Sequence, residues 1–121
     1  NATNCTSTFS DNRCTSLSLI VSEVTKLSNT TFSGMKYIVD LTVVGTIAES
    51  TSFAASNVLS KTSHESVMAA LSTTTTGLTV TFSLTAVNRA FETSEGANDG
   101  STSAEWAVLK LTRNNWNIAL V

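Results

Sequence analysis

The chain has 121 residues and a net charge of -2, and 13% of its residues are charged, about half the roughly 25% of an ordinary soluble domain. That length allows one domain with a core of ordinary size, and seven basic against nine acidic side chains exclude a basic nucleic-acid surface. The sequence contains 21 Thr and 18 Ser but no Pro and five Gly, so polarity is carried by hydroxyls rather than by charge.

In chain order, the first element is a polar head, residues 1–15, followed by a single β-rich domain, 16–121. Cys5 and Cys14 lie nine positions apart in the head. A disulfide between them is the economical reading; on the loop model, closing so short a ring removes about 2.5 to 3 kcal/mol of chain entropy from the unfolded state. Two separate thiols are the other reading. Metal is disfavoured, because two thiolates and the single His64 make at most three ligands without CxxC spacing. N-x-S/T sequons at Asn1, Asn4 and Asn29 are glycan acceptors in a chain that passes through a secretory route. Sequons, a closable cysteine pair, scarce lysine and abundant hydroxyls together favour an oxidising, extracellular setting. No positively charged apolar leader precedes Asn1, which reads as a leaderless or processed chain.

Alternation predicts a strand over 16–24, with Leu17, Leu19 and Val21 on one face and Ser18, Ile20 and Ser22 on the other. After a polar connection ending at Gly34, a thirteen-residue alternation over 35–47 predicts a long, partly covered strand. Thr62-Ser63-His64-Glu65 has capping-box spacing ahead of Val67, Met68, Ala70 and Leu71, which predicts one short helix near 62–72. A third strand is expected over 78–86, from the alternation of Leu78, Val80, Phe82, Leu84 and Ala86 with hydroxyl residues. The two glycines and nearby acids of 91–103 read as a hairpin tip between this strand and another over 104–112. A last apolar run, 116–121, predicts a strand whose end is held, since chain ends fray unless they are paired or docked. No run approaches the roughly 18 apolar residues of a membrane helix. The expected fold is α+β, mainly one antiparallel sheet of about five strands with one short helix; a β-sandwich with a helical insertion is the alternative.

Catalytic chemistry finds no support in the sequence. His64 stands beside Ser63 but adjacent helix positions do not face each other, so it reads as a solvated first-turn residue. The acids around Gly100 miss the ligand spacing of a calcium loop. No cofactor or metal is expected. Thr79, Thr81, Ser83 and Thr85 offer a hydroxyl ladder of the kind a carbohydrate binder uses.

More is carried by the terminal strands. Leu17, Leu19 and Val21, or else Trp116, Ile118 and Leu120, can complete the sheet of a neighbouring subunit. In composition the chain resembles archaeal pilins and other cell-surface fibre subunits, without the long apolar amino-terminal helix of the type IV kind and with no family motif to carry residues over. The expected function is a secreted, glycosylated structural subunit of an extracellular filament or surface assembly, self-associating into a homopolymer through strand donation. An extracellular adhesive or carbohydrate-binding module is the alternative. Neither nucleic acid nor a membrane span enters either reading; glycan is the small partner.

Overall fold

The structure is a computed structural model that describes residues 13–21, 27–28, 30–91 and 104–121. In chain order the described elements are β1 (Ser16–Val21), β2 (Asp40–Gly45), β3 (Thr51–Phe53), α1 (Lys61–Ala70), β4 (Thr79–Phe82), α2 (Leu84–Phe91), α3 (Ala104–Leu111) and β5 (Asn117–Leu120). They form two small sheets, β1-β2 and β3-β4-β5, and every pairing is parallel.

Both expected architectures are therefore wrong: the chain is a mixed α+β domain, neither an antiparallel sheet nor a sandwich. The cause lies in the connections. Antiparallel neighbours can be joined by a tight turn, whereas parallel neighbours need a crossover of about a dozen residues or more. Here α1 lies between β3 and β4, while α2 and α3 lie between β4 and β5.

Each misread element has a local reason. The alternation over 35–47 is strand only at β2, because 31–34 and 36–37 are turns bonded at short range, as in Met35 N–H to Phe32 O at 3.1 Å. The alternation over 78–86 breaks at Ser83, which caps α2: its Oγ accepts from Ala86 N–H at 3.3 Å and its carbonyl from Val87 N–H at 3.0 Å. Ala86, Val87 and Phe91 then turn inward at helical spacing. Residues 104–111 are helix, not strand. Ala, Glu, Leu and Lys are strong helix formers, and Glu105 in the first turn and Lys110 in the last suit the helix dipole. The expected helix near 62–72 is present as α1, but Ser60 rather than Thr62 is its N-cap, accepting from Ser63 N–H at 3.2 Å.

The core runs along a line of rings. Phe32 stacks on Phe53 at 4.6 Å, Phe53 on Phe82 at 5.8 Å, and Phe82 meets Trp106 edge-on at 5.7 Å. Val80 and Phe82 of the central strand β4 are fully buried. The turn after α3 clamps the end of α1: Arg113 Nε donates to Leu71 O at 2.8 Å and Trp116 Nε1 to Ser72 O at 2.9 Å. The held end expected at 116–121 is seen in β5, where Val121 N–H donates to Phe82 O and Leu84 N–H donates to Val121 O at 2.9 Å.

Candidate assembly surface

β1 and β2 pair with Leu17 beside Leu41, Leu19 beside Val43 and Val21 beside Gly45. This set turns inward: Val21, Leu41 and Val43 are buried, and Leu17 and Leu19 are half-buried against the core. The opposite face carries Ser16, Ser18 and Ile20 beside Asp40, Thr42 and Val44, all exposed. Ile20 and Val44 are register partners, 59% and 54% exposed. Tyr37, also exposed, lies near this sheet's start, with the Arg13 guanidinium 5.8 Å from its ring centroid.

The two edges of this sheet differ. On β2 the outward amides are closed by α1: Leu41 N–H donates to Ser63 Oγ at 2.8 Å and Val43 N–H to Ser66 Oγ at 2.9 Å. Ser63 Oγ in turn donates to Val39 O at 2.7 Å. Two helix hydroxyls thus stand where a further strand would, which gives part of the hydroxyl-rich composition an internal use. No strand among the described residues pairs with the outer edge of β1. Replacing Ser63 by Ala is expected to cost about 1 to 3 kcal/mol in urea unfolding, because it leaves a buried β2 donor without its acceptor. Replacing exposed Thr62 by Ala should cost much less.

His64 is not a solvated residue; it is fully buried. With the cap at Ser60, His64 falls on the same helical stripe as Val67, Met68 and Leu71. Its ring lies 5.2 Å from Phe82, 5.5 Å from Phe91 and 6.0 Å from Trp106 between centroids. Nδ1 is 2.8 Å from Ser60 O; a carbonyl only accepts, so Nδ1 carries the proton. Nε2 is buried without a hydrogen-bond partner among the described residues. Burial pushes the imidazole down to about 4, against a smaller upward effect of the Ser60 carbonyl. Such a group is a core ring, held neutral, rather than a general base at a cleft.

The hydroxyl ladder does not form. Thr79 and Thr81 are half-buried in the central strand β4, Ser83 is a buried cap and Thr85 lies on α2. Of the other terminal strand, Trp116 is buried and Ile118 and Leu120 are half-buried in or beside β5. Cys5, Asn1, Asn4, Asn29 and residues 92–103 of the acidic tip lie outside the described residues. The Cys14 sulfur is 2.7 Å from Ser16 O. Glu105 stands on α3 and pairs with Lys61, whose ammonium the Glu105 carboxylate holds above its ordinary range. Among the described residues no three His, Cys, Asp or Glu side chains group as metal ligands, and no helix is long and apolar enough to cross a membrane.

Among the described residues, these features define a parallel β1-β2 sheet with one edge closed by α1, one edge unpaired and one face exposed. Comparison of the chain with protein-family profiles, with curated proteins and with solved structures gave no match.

Proposed function

We propose that this chain is a secreted structural subunit of an extracellular filament or surface assembly, built by self-association across the β1-β2 sheet. The bare face of that sheet carries the reading. Parallel strands are ordinarily covered on both faces, and here only the face of Leu17, Leu19, Val21, Leu41 and Val43 is covered by the core. Ile20 and Val44 stand side by side on the other, next to a strand edge open among the described residues. An apolar face beside an open edge is a template for another chain. Its surround of Ser16, Ser18 and Thr42 brings hydroxyls, which are less costly to desolvate than charges, and the one charge on this face, Asp40, lies at the far end of the ladder from Ile20 and Val44. Sequons and the cysteine pair support the extracellular setting. Because β1 is paired within its own domain, strand exchange takes the form of addition at its outer edge rather than departure of β1 from its sheet.

The test is the size distribution of the purified chain, by sedimentation and electron microscopy. Wild type is expected to form filaments or large oligomers. Ile20→Asp combined with Val44→Asp should disperse them into much smaller species, with circular dichroism unchanged because both side chains are exposed. A wild-type chain that stays monomeric at high concentration overturns the proposal. If that monomer is also retained on a glycan-coated surface, an adhesive module takes its place.

A further inference from the structure

Helix α3 is apolar on both sides. Trp106 is fully buried, while Val108 and Leu111 stand 63% and 71% exposed. Their spacing of three places them one above the other as a ridge. A groove of about 420 Å³ flanks the ridge on the α1 side, where Phe91 and Leu109 contribute apolar walls. A second, also about 420 Å³, flanks it on the β5 side, walled by Trp116 and Ile118. A ridge between two grooves is complementary to a copy of itself, since helices pack by seating ridges in grooves and a two-fold axis forms both contacts at once.

The charges suit the same occupant. Among the described residues, Lys61 and Lys110 border the grooves along with Glu65 and Glu105, two of each sign, with Lys61 paired to Glu105. A border so balanced gives no attraction to a polyanion or an anionic membrane, whereas two copies meet without net repulsion.

We propose that α3 is a second self-association face, on which the Val108 and Leu111 ridge of each copy seats in a groove of the other. The proposal rests on the reading of the chain as an assembly subunit and supplies what an open assembly needs, a second contact that does not overlap the first. On α1, Ser63 and Ser66 face β2, whereas Lys61 and Glu65 line the groove toward α3. At 3.6 residues per turn those pairs lie on opposite sides of the helix, so the two surfaces are separated by α1 itself.

Sedimentation and electron microscopy of the whole chain test this with Val108→Glu and Leu111→Glu made together. Filaments should be lost, leaving short oligomers joined across β1-β2, and adding Ile20→Asp and Val44→Asp should leave monomers. Filaments of unchanged length in the α3 variant overturn the inference and leave the subunit reading standing. A monomeric wild type overturns that reading, and the inference with it. Should the acidic pair unfold the chain, Leu111→Cys decides: mild oxidation should join two copies by a bond absent from wild type treated in parallel, and no such dimer overturns the inference.

Discussion

Gly45→Ala is expected to destabilise the chain by about 3 kcal/mol or more, a large part of the roughly 5 to 15 kcal/mol that holds a domain folded. Gly45 has φ +107°, in the region where a side chain is strained. A Cβ there would stand 1.9 Å from Val21 O and 3.0 Å from Val21 C. Both are backbone atoms of the register partner, so no rotamer change relieves the overlap. Either β2 moves away from β1 or the last pair of the ladder opens, and both uncover Val21 and Val43 of the core. Gly77 separates strain from collision. Its φ is +77°, yet a Cβ there would meet nothing within 4 Å. Gly77→Ala should therefore cost only about 1 kcal/mol. Urea unfolding of the two variants checks the difference, and equal losses would show that β1 and β2 are not closely paired at Val21.

The inward and outward faces of β1 are readable from its alternation, because a strand covered on one side only needs apolar residues at every second position. That same fact hides its direction. Parallel strands are recognised by continuous apolar runs when both faces are buried; β1 and β2 keep hydroxyls at Ser16, Ser18 and Thr42 because one face is bare, and so read as antiparallel. The uncovered face is thus the reason for the misreading and also the candidate site. Ser83 is the other lesson. A hydroxyl in an alternating run looks like the solvent side of a strand, but at Ser83 it ends β4 and caps α2. The burial of His64 was legible from its place three, four and seven residues ahead of Val67, Met68 and Leu71, once the helix is begun at Ser60. The roles of Ser63 and Ser66 were not, since a serine that closes a strand edge has the same local pattern as one facing water.

Acid should unfold this chain through His64. Its pKa is about 4 in the folded chain and 6.5 when unperturbed, so the unfolded chain takes up the proton first as pH falls. Stability from this group is full above pH 6.5 and is lost as pH falls through the interval down to about 4. At 1.36 kcal/mol per pKa unit the loss is about 2 kcal/mol by pH 5 and about 3 kcal/mol by pH 4. The structural cause is that the ring lies among Phe82, Phe91 and Trp106, with Nε2 offered no acceptor among the described residues for the proton it would gain. His64→Phe keeps a ring in that space. The Ser60 carbonyl keeps a donor there too, the backbone amide of residue 64 at 3.1 Å. Urea unfolding from pH 7 to pH 4 should give a shallower slope for the variant than for wild type, the difference being the contribution of this one imidazole. Coincident slopes would mean that His64 can take its proton without leaving the folded state, and that the aromatic cluster opens to water around it.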